Sequence, residues 1–320
     1  MNAARMAVAR LFVALMLYAG AAAATPFAWI TNQGADNVTV IDTDGDKVVA
    51  TVPTGHRPAG VAVAADGSRA YISNPVGRSV TVVDGRTFKV IATVAVGEGP
   101  LAIAVGPRNR FVYIADWYVD SVFVLNTQTL KLEGKIPVGK SPSGLAVAAD
   151  GRTLYVADRD DNNVKFINLA TRKVTATVTV GTAPFGITLA PDRHELYSAN
   201  VRSNNVSVID VDTARVKRTI KVGLSPYAIA YDKPRRRLYV TNQHDSTISV
   251  LDPQTGATFA TVDTGEYPEG IGLLPSGKRL YVVDWFDNKV TVFDTGTLKV
   301  VGEVKTNEES RAYGQFIAPR

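Results

Sequence analysis

The chain has 320 residues, 46% of them hydrophobic and 20% charged, and a formal net charge of +5. That is globular composition, with length for one large core or two small ones. It contains no cysteine, which excludes disulfides, thiolate metal sites, a cysteine nucleophile, covalently attached c-type haem and an acylated N-terminal cysteine.

Residues 1–24 read as an export signal. Arg5 and Arg10 form a basic start, "LFVALMLYAG" from Leu11 a short apolar stretch, and "AAAA" from Ala21 a run of small residues with a cleavage site after Ala24. The apolar stretch is shorter than the roughly 20 residues a spanning helix needs. The expectation is export to a bacterial periplasm and cleavage to a soluble, monomeric chain of residues 25–320.

From there the sequence repeats. Trp29, Tyr71, Tyr113, Tyr155, Tyr197, Tyr239 and Tyr281 stand 42 residues apart. Three residues after each comes Asn32, Asn74, Asp116, Asp158, Asn200, Asn242 or Asp284. A Gly-x-x-Pro motif shares the register, with its glycines at 55, 97, 139, 181, 223 and 265. Each unit reads as four short strands. In the second they are "AGVAVA" from Ala59, "AYISN" from Ala70, "SVTVVD" from Ser79 and "KVIATVAV" from Lys89. These are rich in Val, Ile and Thr and are separated by Gly, Pro, Asp and Asn. No segment holds a helical period for three turns. Four-stranded units of about 40 residues, so repeated, are the signature of a β-propeller. The predicted fold class is all-β, a seven-bladed propeller of four-stranded antiparallel blades forming one domain over residues 25–320.

The first unit begins at its second strand, "FAWITN" from Phe27. The missing inner strand is expected at the other end, in "YGQFIA" from Tyr313, with Gly314 matching Gly60. In that alignment Asn307 replaces the turn glycine, Ala312 takes the proline position, and two residues are inserted between them.

The phrase "LYVTN" from Leu238, its variants "AYISN" and "LYVAD", the "VGxxP" turns and "LAVAADGRTLYVAD" from Leu145 resemble the YVTN-repeat family of seven-bladed propellers. The resemblance covers the whole of residues 25–320 and is greatest to the YncE-like periplasmic members. It implies the propeller fold, and it implies single-stranded DNA as one ligand. Lactonase-type enzymes, the haem-bearing domain of nitrite reductase and amine dehydrogenase heavy subunits share the architecture, so function does not follow from it.

Residues repeated in every unit read as structural, the Asn or Asp as a turn residue capping its own backbone. "DTDGD" from Asp42 reads as a hairpin, because Pro53 occupies the place of a calcium loop's closing carboxylate. "DRDDNN" from Asp158 is at most a weak cation site. His56, His194 and His244 lack metal-ligand spacing, and no serine stands in a nucleophile elbow. No metal or cofactor is expected.

The residues that vary within the fixed register carry more. Those after the Asn/Asp and around the Gly-x-x-Pro turn are expected to line the mouth of the channel: Arg57, Trp117, Arg159, Phe185, Tyr227, Gln243, Trp285 and Tyr313. Trp117 and Trp285 are expected to face each other across it. Aromatic rings with guanidinium groups suit a ligand that stacks and carries phosphates. The function expected is a binding or scaffold protein for single-stranded nucleic acid or another anionic ligand. One alternative is a lactonase- or lyase-like enzyme on the same face, with Glu269 or His244 as general base. Another is a protein partner of a periplasmic redox enzyme, without chemistry of its own. The opposite face is expected to carry a basic rim that includes Arg69, Arg108, Arg152, Arg193, Arg235 and Arg279.

Overall fold

The computed structural model describes residues 26–318, and the export-signal reading falls outside them. Seven four-stranded antiparallel sheets follow one another along the chain, and no α-helix occurs among the described residues. Blade 1 holds Phe27–Asn32, Asn37–Asp42 and Lys47–Pro53. Blades 2 to 7 begin with the inner strands Val61–Val63, Pro100–Val105, Pro142–Val147, Pro184–Ala190, Pro226–Asp232 and Pro268–Leu273. In each of these blades the inner strand pairs with the second, the second with the third, and the third with the outer strand.

Second and third strands are buried on both faces, which is why they read as apolar runs. Trp29, Tyr71, Tyr197, Tyr239 and Tyr281 are among the largest fully buried side chains, and each buried ring or branched aliphatic contributes about 1.5–3 kcal/mol. Outer strands such as Lys47–Pro53 and Arg215–Lys221 face water over most of their length. Lys and Arg there blunt an otherwise open edge.

The repeated Asn/Asp and the repeated glycine form one device. Asn242 is buried and donates through Nδ2 to Thr247 Oγ1 at 3.0 Å and Ser249 Oγ at 2.9 Å. Asn200 does the same to Asn205 Oδ1 and Ser207 Oγ, and Asn74 to Ser79 and Thr81. The carboxamide thus crosses to the third strand instead of capping its own turn, which corrects the expected role. Asp116 alone follows the expected pattern, accepting from the N–H of Tyr118 and Val119. There Phe123 stands where other blades place a hydroxyl or an ammonium. In blades 2 to 7 this side chain lies against the turn glycine. A Cβ on Gly223 would sit 2.7 Å from Asn242 Cγ, and one on Gly265 2.5 Å from Asp284 Cγ. The glycine is needed for close approach.

Neighbouring blades are latched at the opposite face. Arg69 donates to the Thr127 carbonyl at 2.5 Å, Arg237 to the Thr295 carbonyl at 3.4 Å, and Arg279 to Asp46 at 2.7 Å. The rim is therefore partly structural. Arg193 pairs with Glu195 and Arg235 with Asp232, while Arg152 stays exposed beside Asp150.

The ring closes as expected, by the C-terminal segment joining blade 1, but not in the expected register. The regular strand is Ser310–Arg311, with Asn32 opposite Ser310 and Thr31 opposite Arg311. Asn242 faces Pro226 in the same way, and Asp284 faces Pro268. Ser310, not Ala312, therefore holds the proline position, and Glu309 before it has a φ of 54°, as Ser225 (54°) and Tyr267 (57°) have in their turns. The two extra residues fall inside the strand. Pairing with blade 1 resumes at Phe316, whose carbonyl accepts from the Trp29 N–H at 3.0 Å, and Ile317, opposite Ala28. In between, the chain crosses to blade 2, where Tyr313 and Gln315 carbonyls accept from the N–H of Val61 and Val63 in a parallel arrangement. Gly314 makes this crossing at φ +111°, a conformation that favours glycine.

Burial raises the Asp284 carboxyl to about 6, although hydroxyls of Thr291 and Thr264 donate to it. Its folded value lies above the unfolded one, so the folded state binds the proton more tightly. Stability from this group is greatest below pH 4 and is lost as pH rises through 6. Asp284→Asn, the residue present in four other blades, is expected to raise stability by about 2 kcal/mol at pH 8 and by little at pH 4. Equal melting-temperature changes at both pH values would refute this. Asp158, also raised to about 6, is held by Lys165 Nζ at 2.6 Å. Lys165→Met is expected to cost about 3–5 kcal/mol, much of it recovered in the double variant Asp158→Asn with Lys165→Ser. Urea denaturation of the three proteins measures that coupling.

Candidate functional site

The loops between second and third strands and the Gly-x-x-Pro turns meet at one end of the ring. They are stitched across blades: Asp36 accepts from the Arg57 N–H at 2.7 Å, Asp120 from Ser141 at 3.1 Å, Asn204 from Ser225 at 2.9 Å and Asn288 from Glu309 at 2.6 Å. These contacts hold the residue before the proline at positive φ and fix where the variable side chains project.

The eight residues expected at this mouth separate into three groups. Phe185, Tyr227 and Tyr313 form a buried plug. Phe185 and Tyr227 stack with centroids 4.2 Å apart, Tyr313 lies 4.9 Å from Phe185, and the Tyr313 hydroxyl donates to the Phe185 carbonyl at 3.1 Å. Burial pushes the Tyr227 and Tyr313 hydroxyls well above the usual range. Trp117, half-buried, leans on this plug 6.2 Å from Phe185, with the Arg159 guanidinium 5.5 Å over its ring. Trp285 belongs elsewhere. It packs against Tyr267 and Phe286 and lies 4.4 Å beneath Arg311. Gln243 is buried and donates to Glu269 at 3.1 Å. Arg57 stands apart, bound to Glu309 at 2.6 Å. Trp117 and Trp285 thus sit in different ring clusters.

Two residues that the sequence reading passed over are more accessible than any of these. Tyr118 is 72% exposed and Phe286 57%. Each follows a tryptophan, in "WY" and "WF", and that doubled aromatic was the available signal.

The general-base candidates do not assemble as acid–base chemistry requires. Glu269 is 1% exposed and ion-paired with Arg311 Nε at 3.2 Å; burial raises its carboxyl against the pull of Arg311. His244 is exposed, with Nδ1 3.2 Å from Ser225 Oγ and Nε2 3.3 Å from the Tyr267 hydroxyl. It borders a 380 Å³ pocket with Arg202, Asn204 and Leu224. This resembles a nucleophile and its base. The nearby backbone donors are already committed, however: Ser225 N–H to Asn204, Leu224 N–H to Asp245, and His244 N–H to the Leu224 carbonyl. These three N–H groups are therefore not free to receive an oxyanion.

His56 pairs with Asp36 and, on the opposite face, His194 pairs with Asp212. In the Asp158 segment, Asp160 accepts from Ser141 and Asp161 from the Lys140 N–H. Among the described residues no three ligating side chains converge on a metal position.

Charge at the mouth is mixed. Arg57, Arg78 and Arg159 are each paired with a carboxylate. Lys140 and Arg202 have no ion-pair partner among the described residues. Behind the plug the channel widens into a 380 Å³ cavity lined by the inner strands of blades 3 to 7 and by residues 312–317. Ala149 and Pro191 at its border belong to turns of the basic face, so the cavity lies toward that face.

Comparison with known proteins agrees with this architecture. The family described as lactonase, 7-bladed beta-propeller matches residues 18–180, and the family described as YNCE-like beta-propeller matches residues 145–243. No curated protein matches significantly. Among solved structures, Kuenenia stuttgartiensis hydrazine synthase is similar at TM-score 0.77 and 23% identity, over 85% of this chain and 92% of that one. A functionally unknown protein from Desulfotomaculum acetoxidans DSM 771 is similar at 0.79 and 15%, over 90% and 99%. Dihydro-heme d1 dehydrogenase NirN in complex with DHE is similar at 0.70 and 16%, over 90% and 74%. At these identities the likeness is one of fold. With seven blades on one 42-residue register and matches spanning both halves of the ring, the chain belongs to the lactonase-type, YncE-like family of seven-bladed β-propellers.

Proposed function

We propose that this chain is an exported binding propeller without catalysis of its own, and that its ligand seats on the mouth face against Tyr118, Phe286 and the tryptophans beside them. The observation that carries this reading is the exposure of Tyr118 and Phe286 beside two further half-buried indoles. More than half of each residue's surface is left open by its packing, and aromatic side chains concentrate binding energy. A single-stranded nucleic acid fits the rings, since each stacked base contributes about 1–3 kcal/mol. It fits the charges less well, because the cations nearest the rings are already neutralised by carboxylates. Stacking rather than phosphate attraction would then supply most of the affinity. A protein partner presenting apolar or cationic side chains is the second reading, favoured by the same neutralised arginines.

Titration with a short oligothymidylate, followed by tryptophan fluorescence, separates the two. Tyr118→Ala with Phe286→Ala is expected to weaken binding at least tenfold while leaving the melting temperature nearly unchanged. Among the described residues Lys140 and Arg202 are the cations of the mouth loops without an ion-pair partner, so the slope of log affinity against log salt is expected near −1.4, about −0.7 for each phosphate contact on a single strand. Undiminished affinity in the double variant would move the site off this face. No binding by the unaltered protein would remove nucleic acid as the ligand.

A further inference from the structure

The channel contains its own precedent for a ligand. Inside the ring, the segment around Tyr313–Gln315 adds to the channel-side edge of blade 2, with the N–H groups of Val61 and Val63 donating to the carbonyls of Tyr313 and Gln315 at 2.8 and 3.0 Å. The two segments run parallel. The inner strands of blades 3 to 7 pair only with their own second strands, so each presents a channel-side edge with no strand beside it. Some of their carbonyls are taken up by side chains, near the mouth as Leu101 is by Ser73 and Pro184 by Ser143, and deeper as Ile229 is by Thr188. Deeper, these edges border the 380 Å³ cavity together with Leu145, Ile187 and Phe316. An unpaired strand edge is a template for another extended chain.

We propose that the channel binds a short extended peptide of about three residues, free in solution, that adds to one of these inner strands as residues 313–315 add to blade 2. The plug of Phe185, Tyr227 and Tyr313 closes the far end, so entry is from the basic face. Every inner strand runs from the mouth toward that face, from its proline to the following turn. A parallel addition therefore leaves the peptide's carboxylate at the basic rim, near exposed cations such as Arg152 and Lys233, and its amino end against the plug. A buried ammonium there would be costly, so an amino-blocked peptide is the better fit. The tail of a larger protein would have to enter carboxylate first, which that same cost disfavours. This site is independent of the mouth face, and variants at Tyr118 and Phe286 leave it intact.

The test is calorimetric titration of the whole protein with N-acetyl-Val-Ile-Val bearing a free carboxylate. Measurable 1:1 binding is expected. The same peptide N-methylated at both Ile and the last Val, which places a methyl on either edge of the extended chain so that neither can pair with a strand, is expected to bind at least tenfold more weakly, and the C-terminal amide several-fold more weakly with loss of salt dependence. Ala146→Phe, which fills the cavity, is expected to abolish binding. The proposal is overturned by no binding of the free-carboxylate peptide at millimolar concentration, or by equal binding of the N-methylated form. Both comparisons use the unaltered protein, so they stand even where the filled variant does not fold.

Discussion

The buried Asn or Asp that ends each second strand sets the geometry of everything around it. A polar side chain with no exposure is tolerated only when bonded, and here its partners are on the third strand, seven residues on. That bond fixes the register of the two central strands. The same side chain occupies the volume next to the turn glycine, so the chain arriving from the previous blade must come close without a Cβ. One side chain thereby links the inside of a blade to the connection between blades. Where a blade changes one member, another adjusts. Blade 3 lacks the hydroxyl and its Asp116 turns to cap backbone N–H groups. Blade 4 replaces the hydroxyl with Lys165, and the position carries a carboxylate to match.

Departures from the repeat have their own logic. At the seam Asn307 replaces the glycine, and it joins the network, donating its backbone N–H to Asn32 and its side chain to Asn37. The two additional residues beyond Ser310 cannot be absorbed by a ladder whose other side is already fixed by Asn32 and Thr31. They loop into the channel instead, and Tyr313 comes to rest on Phe185. The blocking of the mouth is thus a consequence of that insertion, which lies just beyond the strand that closes the ring. The channel is shaped at one end by aromatic residues of blades 5 and 6 and along one side by the segment that seals the ring.

The fold was legible almost in full because a repeat supplies seven readings of one pattern. The 42-residue period, the four strands and the closure all rest on features that no single substitution hides. The seam register was not legible. Gly314 resembles Gly60 in its surroundings, and only the pairing of Ser310 with Asn32 shows that the alignment starts two residues earlier. The site was legible in part. Position in the register identified which residues reach the mouth, but not how far each is buried, because burial depends on neighbours in other blades. Phe185 and Tyr227 occupy the same position in adjacent units and so were bound to stack on each other. Tyr118 and Phe286, one residue beyond the positions considered, have no such neighbour to cover them. Glu269 was expected near the mouth, and nothing in its own blade announces that Arg311, from the far end of the chain, will seal it in.

The two faces differ in what their charges are for. At the mouth, carboxylates such as Asp36, Asp120 and Asp245 cap N–H groups of the turns, and arginines in turn pair with carboxylates there. Much of the charge is therefore a by-product of stitching the blades together, and it is spent before any ligand arrives. On the opposite face Arg69, Arg237 and Arg279 are likewise spent as latches, since each reaches a carbonyl or carboxylate of the next blade. The side chains around them, Arg108, Arg152, Lys233 and Lys278, make no hydrogen bond or ion pair to the next blade among the described residues, and Arg152 alone has a carboxylate, Asp150, beside it. Net charge thus misleads on both faces. The cations with binding capacity are those left over when the structural ones are set aside, and more of them surround the open end of the channel than surround the aromatic mouth.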